Sequence, residues 1–263
     1  MKTAISFLSL FMLSQGIACE LSEKVVSLSG PVTMVLEELD LLSDNNLLAI
    51  SKFHPVRKID DEKILAGGLF LSRKTLKKYQ HSKIIFDKSR EFRVLLSKDH
   101  KGQLVEVDTR DQDPFEAFNL SLVKLMNSLK SCHKEVEALN KKISTIKKYH
   151  KLKADFFKSI FYLGKIGDKY PDIAISNDGF VLFLKNNSEF KTYPSDLSYS
   201  TWSKRIMKSL KSFNHFGLVD SKSDQLIIKK EGDRKYNLSM RGVLIPGIRQ
   251  IYFLDQLQTL ILK

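Results

Sequence analysis

Apolar residues in the first half of the chain alternate between two periods. Short runs rich in β-branched and large apolar side chains fall at Lys24–Leu28, Leu47–Ile50, Ile64–Ala66, Lys83–Phe86 and Leu104–Val107. Each is three to five residues long and is read as a strand. Between several of them the spacing turns helical. Val32, Val35, Leu36 and Leu39 fall at i, i+3, i+4 and i+7, one face of a helix. Ser72 precedes Arg73-Lys74-Thr75-Leu76-Lys77-Lys78-Tyr79 as an N-cap, and Phe92, Leu95 and Leu96 mark a shorter helix. Alternating strand and helix predicts βαβ units and a mainly parallel sheet. Open sheets of this kind bind ligands at the carboxyl ends of their strands.

The middle of the chain reads differently. From Phe115 to Leu163 there is no Gly or Pro, and Leu125, Leu129, Val136, Leu139, Ile143 and Ile146 keep a roughly helical period. This predicts a helix from about Pro114 to His150, with room for one break near Cys132. Unbroken, it would run about 50 Å, long enough to join two lobes. Beyond Asp155, strand patterns return, with turns at Asn177-Asp178-Gly179 and Gly232-Asp233. A helix is expected around Trp202, then strands at Leu226–Lys230 and Tyr236–Met240, a further run at Ile251–Leu254 and a closing helix from Asp255. The fold class is therefore α/β in two lobes joined by a long helix. The N-terminal lobe is mainly parallel and the C-terminal lobe has a mixed sheet. The expected divisions are a leader over 1–18, lobes over 19–113 and 153–263, and the linking helix over 114–152.

The leader rests on its own pattern. Lys2 is the only charged residue before Glu20, Ala4 to Leu13 is apolar, and Gly16-Ile17-Ala18 supplies small residues at the positions a signal peptidase reads. Two cysteines occur, Cys19 and Cys132. Three fates are open to Cys19: lipidation, which would give peripheral membrane association, a disulfide with Cys132, or a free thiol. The lipid anchor is the first expectation. With 263 residues, 43% hydrophobic, the chain is long enough for two cored lobes. Its formal charge of +13 is dispersed along the chain, and with no zinc-finger, RNA-binding or basic-zipper pattern, no nucleic-acid partner is expected.

Catalytic patterns are missing from the sequence. It has no Gly-x-Ser-x-Gly elbow, phosphate loop, dinucleotide-binding glycines or His-Glu-x-x-His. None of the six histidines stands two or four residues from another, so no local metal pair is visible. The expectation is a non-enzyme with no metal and no cofactor. The stretch KVVSLSGPVTMVLEEL, from Lys24, is more informative. Pro31 suits the first helical turn, and Ser29 can cap the amides that follow. A helix start of this kind also offers N–H groups to anions and polar ligand groups.

VVSLSGPVTMVLEEL resembles the opening of periplasmic substrate-binding proteins of the iron-siderophore and vitamin B12 type. ILAGGLFLSRKTLKKYQHSKIIFDKS resembles the Gly-Gly, helix and strand element of that family, LVEVDT its next strand, and VLIPGIRQIYFLDQL its closing Pro-Gly-x-Arg element. The resemblance runs in order through most of the chain after the leader. It implies two α/β lobes on a stiff helix, holding an iron chelate, a corrinoid or haem and delivering it to an ABC permease from the periplasm. By position it assigns Ser29, Gly30, Pro31, Phe53, His54, Gly67, Gly68 and Phe70 to the N-lobe wall of the cleft. Tyr193, Trp202 and Arg249 are assigned to the opposite wall, the first two to stack on a ring and Arg249 to pair an anion. The chain departs from the pattern at Lys74, where the family carries an acidic residue that docks on the permease. A chain that keeps the fold and has lost transport, serving as an envelope interaction protein, is the alternative.

Overall fold

The computed structural model describes residues 18–51, 59–65, 73–88, 100–109, 112–152, 164–166, 171–173, 216–220, 227–231, 235–239 and 245–261. After the two-residue strand β1 (Glu20–Leu21) come β2 (Val25–Leu28), α1 (Gly30–Glu38), β3 (Leu47–Ser51), β4 (Ile64–Leu65), α2 (Arg73–Lys77), β5 (Lys83–Asp87) and β6 (Leu104–Val107). All five expected strands of the first lobe are present. They form one sheet in the order β4-β3-β2-β5-β6, every neighbouring pair parallel.

Burial explains why these runs are so uniformly apolar. A central parallel strand is covered on both faces, so both sets of alternate side chains must be apolar. Val25, Leu47, Ile50 and Ile85 pack into the larger core with α1 and later helices. Val26, Leu28, Ala49, Ile84 and Phe86 pack on the other face with Leu76 of α2. Lys83, 3% exposed, brings a charged side chain into this buried sheet. Its ammonium meets Glu23 at 3.2 Å, and the same carboxylate accepts from Ser128 Oγ at 2.9 Å.

The middle of the chain is two helices, α3 (Pro114–Met126) and α4 (His133–Leu152). Asp113 caps α3 by accepting from the N–H groups of Phe115 and Glu116, at 2.8 and 3.0 Å. Between the helices, β7 (Leu129–Lys130) pairs antiparallel with β1, and Ser131 takes a φ of 60°. The break that periodicity allowed near Cys132 is thus made by a strand bridge. It leaves α4, at 20 residues, about 30 Å long rather than the 50 Å of an unbroken helix.

Cys19 and Cys132 form a disulfide across the same junction, with Cα atoms 4.3 Å apart. This corrects the expectation of a lipid anchor at Cys19. A sulfur bonded to Cys132 cannot also carry the thioether of a lipid.

Beyond α4 lies a second five-stranded sheet. It contains β8 (Gly164–Ile166), β9 (Pro171–Ile173), β10 (Phe216–Asp220), β11 (Ile227–Glu231) and β12 (Lys235–Ser239), in the order β11-β12-β10-β8-β9. It is mixed: β10 runs parallel to both β8 and β12, while β8–β9 and β11–β12 are antiparallel. The chain closes with α5 (Ile248–Ile261).

Two expectations change at α5. The run Ile251–Leu254, set apart from the closing helix expected from Asp255, is already helical. Short apolar runs fit either period, and here Ile248, Ile251 and Tyr252 fall at i, i+3 and i+4 on the buried face. The lobe drawn over 153–263 also loses its last helix. Ile248, Ile251, Phe253 and Leu254 belong to the core of the first lobe, with Phe115, Phe118 and Val35. Gly247 makes the turn into α5. Its φ of 107° lies in a region that favours glycine.

Candidate functional site

The order of the first sheet reverses between β2 and β5. The chain lays β2, β3 and β4 outward in one direction, then crosses back to add β5 and β6 on the other side of β2. Helices and loops leave the two neighbouring strands on opposite sides of such a point. In open α/β sheets a crevice opens at such a point, beyond the strands' carboxyl ends. Leu28 of β2 lies in register with Phe86 of β5, so Ser29 and Asp87 are the residues that stand side by side at that edge.

These two residues are bonded to each other. Ser29 Oγ donates to Asp87 Oδ1 at 2.6 Å, and Gly30 N donates to Asp87 Oδ2 at 3.3 Å. Ser29 is the N-cap of α1 in extended backbone, and its Oγ accepts from Val32 N at 3.5 Å. Thr33 Oγ1 donates to the Ser29 carbonyl at 2.8 Å and lies 2.7 Å from Ser27 Oγ. Ser27, Ser29 and Thr33 are fully buried, so this hydroxyl network holds that edge rigidly. The first turn of α1 has no acidic residue of its own, and Asp87 supplies the negative charge its dipole favours. Next along the sheet, Lys88 and Asp108 extend β5 and β6 and pair at 2.5 Å. Both are about half exposed, so this pair contributes little to stability.

The structure places Ser29, Gly30 and Pro31 at the start of α1, beyond the carboxyl end of β2, all three buried. Phe53, His54, Gly67, Gly68 and Phe70 lie outside the described residues, in the segments that follow β3 and β4. Tyr193 and Trp202 also lie outside them.

Arg249 is a correction. Its side chain is only 4% exposed and its guanidinium is ion-paired with Glu37, near the end of α1 remote from Ser29. An arginine spent on a buried carboxylate is not available to a ligand anion. Its work is to fasten α5 to α1, where Tyr252 helps by donating to Glu38 Oε2 at 2.5 Å while Lys142 Nζ of α4 lies 2.8 Å from the Tyr252 hydroxyl.

Sequence reasoning missed Asp87. The available signal was a single acid following the apolar run Ile84–Phe86 at the carboxyl edge of the sheet. Its partner Ser29 is 58 residues away, beyond the reach of any local pattern. Among the described residues, no group of three or more His, Cys, Asp or Glu is placed to hold a metal ion.

No protein-family model and no curated protein matches the chain by sequence. Solved structures match it by shape. The periplasmic heme-binding protein RhuT from Roseiflexus sp. RS-1 superposes with a TM-score of 0.65 at 11% identity, over 91% of this chain and 98% of that one. The periplasmic heme-binding protein HutB of Vibrio cholerae gives 0.63 at 12% identity, over 92% and 99%. DesE, a ferric-siderophore receptor protein from Streptomyces coelicolor, gives 0.64 at 11% identity, over 92% of both chains. The chain therefore has the two-lobed α/β fold of the periplasmic heme- and siderophore-binding proteins, at 11–12% sequence identity to them.

Proposed function

We propose that this protein is a periplasmic solute-binding protein of an ABC uptake system, which captures an iron chelate, a corrinoid or haem in the cleft between its lobes. The observation that carries this reading is the match over more than nine-tenths of both chains to proteins described as binding heme and ferric siderophores. The crevice at the strand-order reversal supports it, because such a crevice is where open α/β sheets bind ligands. The work is capture and release, with no bond made or broken. The disulfide supports an oxidising compartment outside the cytoplasm.

A second reading has its own observation. Lys74 on α2 is exposed where the resemblance expects an acidic docking residue. A basic residue there repels a permease built to receive an acid. An envelope interaction protein that keeps the fold without transport is the reading this favours.

The test uses protein secreted with its leader and purified from the periplasm. Trp202 is the sole tryptophan, so quenching of its emission reports on binding of haemin, ferric hydroxamates or cobalamin. The expected result is saturable quenching by at least one of them, with thermal stabilisation of about 2.7 kcal/mol when that ligand is at roughly 100 times its Kd. Absence of both signals across the panel would reject solute capture in favour of the interaction protein.

A further inference from the structure

We propose that the outer ridge of α4 is a docking surface for an anionic lipid bilayer, which Lys134, Lys141 and Lys148 engage through their ammonium groups. The inference needs a location outside the cytoplasm beside a membrane. It depends neither on solute capture nor on a permease.

The helix sorts its residues by face. Val136, Leu139, Ile143 and Ile146 are buried and pack into the core of the first lobe. Lys134, Lys141 and Lys148 stand seven residues apart and are exposed. Seven residues are almost two turns, so the three lie close to one line, about 10 Å from one to the next. That line is opposite the buried stripe. Lys142 and Lys147 beside it are already engaged. Lys142 Nζ lies 2.8 Å from the Tyr252 hydroxyl and 3.8 Å from Glu38, and Lys147 Nζ lies 5.3 Å from the centre of the Phe115 ring. Among the described residues, Lys134, Lys141 and Lys148 have no ion pair.

An ordinary solvated helix face intersperses acids and bases, which support each other at i and i+4. In α4 the acids stand only at the start, where Glu137 meets His133 at 3.8 Å and Glu135 lies nearby in sequence. From Ala138 to Leu152 the helix has no acid. Glu137 is the acid nearest the ridge, so three lysines stand against one carboxylate. The ridge therefore draws its counter-charges from outside the chain. Its surface is convex and carries no large exposed apolar side chain among the described residues. A protein partner would need an apolar patch to bury at the centre of the contact. A bilayer does not, because anionic headgroups attract lysines within a Debye length, roughly 8 Å at physiological salt, without any insertion. A flat surface also meets a straight ridge along its whole length.

The test is co-sedimentation of the periplasmically purified protein with vesicles, made of phosphatidylcholine alone or mixed equally with phosphatidylglycerol. The parent protein is expected to bind the mixed vesicles, to ignore the neutral ones and to be released at about 0.5 M salt. At about fivefold per lysine, Lys134→Gln/Lys141→Gln/Lys148→Gln is expected to lower partition about a hundredfold. Glutamine propagates a helix as well as lysine does, so the variant keeps the circular dichroism of the parent. Lys77→Gln/Lys78→Gln/Lys101→Gln removes the same charge from exposed positions on and beside α2, which packs on the other face of the sheet. It is expected to change partition by less than about threefold.

Equal binding to neutral and mixed vesicles, no binding to either, or an equal loss in both triple variants would overturn the assignment of this ridge to a bilayer. Binding to soluble poly-glutamate with none to mixed vesicles would overturn it in favour of an acidic protein. Each outcome is read without a solute, so solute capture stands or falls separately on its own ligand panel.

Discussion

Breaking the Cys19–Cys132 disulfide is expected to destabilise the protein without changing its native fold. The bond spans 113 residues of chain, which include the whole first sheet and α3. In the chain-entropy model a closed loop of that length lowers the entropy of the unfolded chain by about 16 cal/mol/K, or about 4.8 kcal/mol at 25 °C. Native contacts do not depend on the bond. Leu21 N donates to Asp44 Oδ2 at 2.8 Å, and Asn46 Nδ2 donates to the Leu21 carbonyl at 2.7 Å. Leu21 itself is 1% exposed. The first residues therefore stay docked when the sulfurs part, and the effect falls on the unfolded state. Real disulfides usually deliver less than the model, so the expected loss is about 2–4 kcal/mol. That is a large part of the 5–15 kcal/mol that holds a typical domain together. The assay is urea unfolding followed by circular dichroism, with and without reductant and in Cys19→Ser/Cys132→Ser. The reduced chain should also show a steeper urea dependence, because its unfolded state exposes more surface. A loss below about 1 kcal/mol would refute the loop argument. A free or acylated thiol at Cys19 in the secreted protein, read by mass spectrometry before reduction, would refute the pairing itself.

Two further outcomes follow from buried polar groups. Arg249→Met removes the guanidinium paired with the largely buried carboxylate of Glu37, 11% exposed, and should cost about 3–5 kcal/mol in urea unfolding. Glu37→Leu/Arg249→Met removes both charges and should recover most of that loss; a double variant no better than the single would show that the pair is not the cause. His100 has its pKa lowered, chiefly by burial, against opposing backbone bonds with Ser82 and Gln103, with the smallest contribution a further lowering from His81. Its Nε2 is buried without a partner. The unfolded chain then takes up this proton first as pH falls, so stability is level above the ordinary histidine value of about 6.5 and declines as pH drops below it. Thermal midpoints between pH 8 and pH 5 should show this decline and His100→Gln should flatten it; identical profiles would count against a buried neutral imidazole.

Much of the first lobe could be read from the chain because its strands are buried on both faces. Such strands must be continuously apolar, and Val25–Leu28, Leu47–Ser51 and Lys83–Asp87 announce themselves. The start of α1 was equally legible, since an N-cap depends on residues three or four apart. The break in the long helix could be read only as an allowance near Cys132, because nothing in its periodicity records that Leu129–Lys130 pairs with Glu20–Leu21. Arg249 was misassigned for a related reason: the Pro-Gly-x-Arg element showed where the arginine stands in the chain, while Glu37 lies 212 residues earlier.

What the sequence determined by itself is local: apolar period, helix starts, turns and the alternation that makes an α/β fold. These depend on neighbours within a few residues, and backbone sterics and hydrogen bonding act at that range. Only the tertiary structure decided the long-range pairings. It bonded Cys19 to Cys132, withdrew Arg249 into a buried ion pair, carried α5 back to the first lobe and laid Asp87 across the helix start that the sequence had left open to a ligand. Such pairings depend on which surfaces meet when the sheet and helices pack, and so their partners stand far apart in the chain.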